Sequence, residues 1–140
     1  MVTVAGVMWG LRAAAPGLTG VYAGRIAIAC AVFALGVAAA LAGVVEFRRA
    51  RTTVNPLHPE KATAVVDSGI FRFSRNPMYL GMLLALVAWA LFLANPVTLA
   101  GPVLFVLFMN RFQIVPEERA LTALFGDGYR VYLGRVRRWL

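Results

Sequence analysis

NPMYLGMLLALVAWALFLANPVTLAGPVLFVLFMN, residues 76–110, runs 35 positions without one charged side chain, bracketed by Arg75 and Arg111. As a single helix it would extend about 52 Å at about 1.5 Å per residue, far more than a hydrocarbon core of roughly 30 Å. Asn95-Pro96 divides it, because proline cannot continue the helix that precedes it. The reading predicts two spans, Pro77 to Ala94 and Val97 to Ile114, joined by a tight hairpin. Both open ends of that hairpin then lie at one membrane face.

Upstream, Ile26 to Val45 supplies twenty uncharged residues, about 30 Å of helix and enough for one crossing. Met1 to Leu11 is apolar but too short to cross alone, and Arg12 and Pro16-Gly17 interrupt it. A short membrane helix packed against its neighbours is expected, with an interfacial helix as the alternative. It lacks the basic start and cleavage site of a signal peptide. With 61% hydrophobic and 14% charged residues, the chain departs widely from soluble composition. The expected fold is all-α integral membrane, a single domain over residues 1–140. It has three transmembrane helices, a short N-terminal membrane helix and a cytoplasmic C-terminal helical segment.

Twelve of the fourteen basic residues lie between Arg48 and Arg75 or from Arg111 onward, which the positive-inside bias makes cytoplasmic. Placement in the cell inner membrane, with active site and C-terminus cytoplasmic, follows. The formal charge of +8 suits anionic lipid headgroups and requires no nucleic acid. Cys30 is the single cysteine and His58 the single histidine, so no internal disulfide and no metal site is expected. Cys30 reads as a buried, inert thiol and His58 as solvent-facing. Gly36, Ala39, Ala40 and Gly43 allow close helix approach in lipid. Arg48 to Asn76 reads as turns and extended segments able to fold over the membrane surface as a lid.

Polar chemistry gathers outside the two ends of the hairpin. Arg75 and Asn76 precede a helix whose first residue, Pro77, is favoured there. Free backbone amides at that end can hold a carboxylate. Tyr79 projects from the first turn, and Gly81 opens room for a ligand or a backbone. A capping asparagine with interfacial anchors is the plainer account. Glu117 and Glu118 follow Pro116, where helix polarity favours acids in any case. Across a short hairpin they face Arg75, Asn76 and Tyr79, so a ligand bearing both ammonium and carboxylate finds partners for each. Farther on, Phe125, Tyr129 and Tyr132 stand among arginines, either in a basic element lying on the membrane or as walls for adenine.

Arg75-Asn76-Pro77-Met78-Tyr79-Leu80-Gly81, then Glu117-Glu118, then Phe125-Gly126-Asp127-Gly128-Tyr129-Arg130-Val131-Tyr132, resembles the integral-membrane methyltransferases that include isoprenylcysteine carboxyl methyltransferase and phospholipid N-methyltransferases. The resemblance covers residues 52–140. It departs at Asn76, where the family carries histidine, and asparagine cannot titrate near neutral pH. The resemblance implies S-adenosylmethionine as cofactor at the cytoplasmic end of the hairpin, and a lipophilic substrate arriving from the bilayer. Arg75, Asn76 and Tyr79, with Pro77 and Gly81 shaping the segment, would hold the carboxylate end. Glu117 and Glu118 would take the ammonium or ribose hydroxyls, and Phe125, Tyr129 and Tyr132 the adenine. Glu118 and Arg111 are the candidates nearest the chemistry, Arg111 as a guide for an anionic acceptor. A membrane reductase using NADPH and a non-catalytic lipid-binding scaffold are the competing readings. The first is disfavoured by chain size and by a Glu-Glu pair that would repel phosphates.

Overall fold

A computed structural model of the chain describes residues 1–51 and 63–140, and every regular element among them is helical. Residues 52–62 of the turn-rich connection expected to act as a lid, His58 among them, lie outside the described residues. Helix α1 spans Val2–Ala14 and gives way to a 3₁₀ turn at Pro16–Leu18, where proline occupies the first position. Helix α2 spans Arg25–Arg49 and closes on Arg48 and Arg49, cations at the negative end of the helix dipole. After a 3₁₀ turn at Gly69–Arg72, α3 runs Pro77–Leu93.

The chain reverses at Ala94, whose φ of 51° ends the helix in the left-handed region. From there a 3₁₀ turn at Pro96–Leu99, α4 at Ala100–Phe108, a π-helical turn at Met109–Ile114 and α5 at Val115–Phe125 form one helical path. Sequence expectation ended this span at Ile114, but the helix continues through Pro116 to Phe125. A proline inside a helix lacks the N–H and crowds the carbonyl four residues back. The wider turn just before it relieves that clash without breaking the rod. Gly126, at φ 56°, separates α5 from α6 at Asp127–Arg135.

Two helices are long and apolar enough to cross a membrane, Arg25–Arg49 and Pro96–Phe125, while Val2–Ala14 and Pro77–Leu93 are shorter apolar helices. Only 17% of the most apolar window of α2 is buried, and Ile26, Phe33, Leu35 and Leu41 point outward. So large an apolar surface is unfavourable in water and suited to lipid. Cys30, expected to be buried, is exposed on α2.

The described chain divides into two compact units. The first comprises Met1–Ala38 and Gly81–Leu107. Asn95 is its fastener: buried, it donates to the Ala15 carbonyl (2.8 Å) and to Thr19 Oγ1 (3.2 Å), and accepts from the Val97 N–H (3.1 Å). Gly20 N–H donates to the Ala94 carbonyl at 2.8 Å. Trp89 donates to the Ala5 carbonyl (3.1 Å) and stacks between Trp9 and Phe92. Helix α1 is therefore packed against its neighbours. Gly36 permits close approach of α2 and α3, since a Cβ there would stand 2.8 Å from the Gly81 carbonyl oxygen.

The second unit comprises Ala39–Leu80 and Phe108–Leu140. Gly43 lies against Pro77 and Met78, the small-residue contact that the sequence led one to expect. Glu46, buried near the end of α2, accepts hydrogen bonds from Ser68 and from Arg49. Gly69, at φ 53°, lies so close to Glu46 that a Cβ would collide with its carboxyl group. Phe47 and Phe71 meet edge to face at 5.1 Å. These contacts fix the chain just ahead of Arg75.

Candidate active site

Ser74 and Pro77 are fully buried, and Ser74 Oγ accepts the Asn76 N–H at 3.1 Å. The chain thus enters α3 along a set path, and the polar side chains around that entry meet the acidic start of α5 within the second unit. Arg75 is the centre of the cluster. Its backbone N–H donates to the Arg137 carbonyl at 3.0 Å. Its Nη1 donates to the carbonyls of Leu133 (2.7 Å) and Val136 (2.8 Å), and its Nη2 to Glu118 Oε1 at 2.8 Å. Buried Nε–H has no acceptor among the described residues. A buried donor without a partner is costly, and an incoming anion would satisfy it.

Glu118 accepts from a second cation as well. Arg138 Nε donates to Oε1 at 3.1 Å and Nη2 to Oε2 at 2.6 Å, the two-pronged geometry that guanidinium and carboxylate favour. Successive helical residues differ by about 100° in direction, so Glu117 faces elsewhere. Tyr79 donates to Glu117 Oε2 at 3.1 Å and also meets the Gln113 side chain. Asn76 Nδ2 donates to the Arg138 carbonyl at 2.9 Å. The plainer expectation for Asn76, a side chain capping α3, is therefore not what is seen. Its amide faces the C-terminal segment, and Ser74 takes up the N–H at the helix entrance.

The structure accordingly brings together Arg75, Asn76, Pro77, Tyr79, Glu117 and Glu118. Gly81 belongs to the first unit, where its carbonyl faces Gly36. Arg111 is exposed, with its guanidinium 5.7 Å from the Phe112 ring centroid.

Of the C-terminal aromatics, Tyr129 and Tyr132 are core residues. Tyr129, Tyr132 and Val136 form a small buried core, with Val65, Leu121, Phe125 and Leu133 packed around it. Tyr132 donates to the Phe71 carbonyl at 2.9 Å. Burial pushes both tyrosine hydroxyls above their ordinary pKa, with Glu118 adding to the rise at Tyr129 and Tyr129 adding to that at Tyr132. Both stay neutral phenols at physiological pH. Tyr129 and Tyr132 therefore bind α6 to the rest of the unit, and Phe125 alone of the three is not fully buried.

Sequence reasoning missed Arg138 and Trp139. Arg138 was counted among membrane-facing arginines, yet it clamps Glu118. Trp139 Nε1 donates to Asn110 Oδ1 at 3.1 Å, tying the tail to the π-helical turn. Nothing in the local sequence distinguishes Arg138 from Arg135 or Arg137. The useful signal was at the other end, an acidic pair needing cations.

The phospholipid methyltransferase family model matches residues 24–128, three-quarters of the chain and the whole acidic and arginine-bearing cluster except its tail. The chain belongs to the phospholipid methyltransferase family. A protein of Haemophilus influenzae named only as uncharacterized is 51% identical over 63 residues, 45% of this chain and all of that protein. Methanethiol S-methyltransferase 1 of Bradyrhizobium diazoefficiens is 41% identical over 70 residues, 48% of this chain and 22% of that protein. This chain thus aligns with about a fifth of the named methyltransferase. No solved structure matches it. Family membership and the apolar helices together make this a membrane-associated methyltransferase-type protein.

Proposed function

We propose that this member of the phospholipid methyltransferase family transfers a methyl group from S-adenosylmethionine to a lipophilic acceptor at the cytoplasmic face of the inner membrane. The observation that carries the reading is the part-buried Arg75–Glu118 pair, with the orphan Nε–H of Arg75 beside it. It supplies an anion-seeking donor and a carboxylate within one cluster, the complement of an amino-acid end group. Arg75 and Asn76 would hold the carboxylate of the methionine portion, and Glu118 its ammonium. Tyr79 and Glu117, held to each other, would meet ribose hydroxyls. Phe125 is the aromatic left to contact adenine, while Tyr129 and Tyr132 hold the platform beneath it.

When bound, S-adenosylmethionine supplies an electrophilic methyl on a sulfonium, which an acceptor nucleophile takes by in-line displacement. The chain's own contribution is orientation and the exclusion of water. Asn76 suits a gripping role, since an amide donates a hydrogen bond at every pH where the protein folds. Arg111, exposed beside the apolar surface of α4, would orient an anionic acceptor entering from lipid. Acceptors of this class are amino-lipid headgroups, isoprenylcysteine-type carboxylates and small lipophilic molecules such as thiols.

In this reading three helices cross the bilayer, α2, α3 and the apolar part of the Pro96–Phe125 path, with α1 as a short membrane helix. The basic flanks stay in the cytoplasm, against anionic lipid headgroups. Calorimetric titration of the purified protein with S-adenosylmethionine and, separately, with NADPH tests the proposal. Binding of the first alone is expected. Binding of NADPH alone would make the chain a reductase, and binding of neither would leave a lipid-binding scaffold.

A further inference from the structure

Arg138 touches the cluster twice, and the two contacts are of opposite kind. Its guanidinium fills Glu118, while its own backbone carbonyl accepts from Asn76 Nδ2. One residue thus presents a cation to the carboxylate and an oxygen acceptor to the amide. An amino-acid end group would offer the same pair, an ammonium to Glu118 and a carboxylate oxygen to Asn76. We infer that Arg138 is an internal stand-in for the amino-acid portion of the cofactor and that Arg138 and Trp139 form a latch, which leaves as the cofactor enters while Val136 and Arg137 stay on Arg75. The inference rests on the cofactor reading given above and adds a control on that site.

The structure also indicates which cation gives way. The Arg75 side chain is 12% exposed and anchored by two backbone carbonyls besides Glu118. That of Arg138 is 33% exposed, and Glu118 is the acceptor of its side-chain hydrogen bonds. An ammonium arriving at Glu118 therefore competes with Arg138 and leaves Arg75 in place. Withdrawal of Arg138 removes its carbonyl from Asn76 in the same movement, freeing the amide to donate to a carboxylate. Trp139, the next residue, moves with it and loses its hydrogen bond to Asn110. Arg138 is accordingly a positioning residue that sets cofactor affinity by competition.

Calorimetric titration with S-adenosylmethionine of wild type, Arg138→Gln and Arg138→Lys tests this, with monodispersity checked for each. Arg138→Gln should bind at least about tenfold more tightly, the lower end of what losing one competing charge-assisted hydrogen bond yields. Arg138→Lys should fall between, because an ammonium competes for Glu118 without the two-pronged fit. Weaker or equal binding by Arg138→Gln would overturn the latch and make Arg138 part of the grip or of the scaffold. Failure of the wild type to bind at all would instead remove the cofactor reading beneath it. Independently, protein labelled with 5-fluorotryptophan gives three ¹⁹F signals, and the one missing in Trp139→Phe reports the latch. That signal should shift and narrow on saturation with S-adenosylmethionine; a signal unmoved by bound cofactor would also refute the latch.

Discussion

Replacing Glu118 with glutamine removes one negative charge while preserving shape, and the cost follows from its surroundings. Glu118 accepts three charge-assisted hydrogen bonds, one from Arg75 and two from Arg138, and its side chain is only 14% exposed. Such bonds contribute about 1.5–3 kcal/mol each, and removing one member of a largely buried pair costs about 3–5 kcal/mol. The partial exposure of Arg138 lowers the sum, because water can take over some of its donors. A loss near 3 kcal/mol is expected for Glu118→Gln. Arg138→Gln should lose about 1 kcal/mol, since Arg75 still compensates the carboxylate. If the pair is made, the double variant should be more stable than additivity allows, by about 1–2 kcal/mol. Equilibrium unfolding of the four proteins in mixed micelles provides the cycle. Additivity within about 0.5 kcal/mol would show that Arg138 and Glu118 do not meet and would undo the cluster's geometry.

Tyr79→Phe removes the donor to Glu117 Oε2 and should weaken S-adenosylmethionine binding by at least ~1 kcal/mol, measured by calorimetry on monodisperse protein; unchanged affinity would return Tyr79 to an interfacial role. Asn76→His should preserve binding and turnover, and Asn76→Leu should lose affinity, because only the latter lacks a donor for the carboxylate. A new rate dependence between about pH 5.5 and 7.5 in Asn76→His, with a higher maximum, would show that the position serves proton transfer after all. A cysteine placed at exposed Asp127 should resist an impermeant thiol reagent added outside intact cells and react after lysis. Labelling from outside would reverse the orientation.

Much of the helical plan was legible because it depends on local rules. The uncharged runs gave α2 and α3, and Asn95-Pro96 gave the reversal that Asn95 fastens through Ala15 and Thr19. What local rules did not reveal was the continuation through Pro116. A proline is normally read as a helix boundary, and only the wider turn at Met109–Ile114 lets the rod pass it. In the site, the order of residues brought Arg75 and Tyr79 near Glu117 and Glu118, since a short hairpin leaves little freedom. The position of Arg138 was hidden for the opposite reason. It depends on α5, Gly126 and α6 folding back on the 63–75 segment, and a tail rich in arginine has the same composition whether it meets lipid or Glu118. The aromatic residues misled similarly: Tyr129 and Tyr132 have the chemistry of an adenine wall, and burial against Val136 and Phe125 makes them core.

Methyl transfer itself gives the most direct test. The protein, reconstituted in liposomes, is incubated with S-adenosylmethionine carrying a tritiated methyl group and, in separate arms, phosphatidylethanolamine, a farnesylcysteine and an alkanethiol. Radioactivity is then counted in the organic extract and compared with that from Glu118→Ala. The account predicts protein-dependent label in at least one acceptor and its loss in the variant. No label above the protein-free control in any arm, from protein shown to bind S-adenosylmethionine, would contradict it.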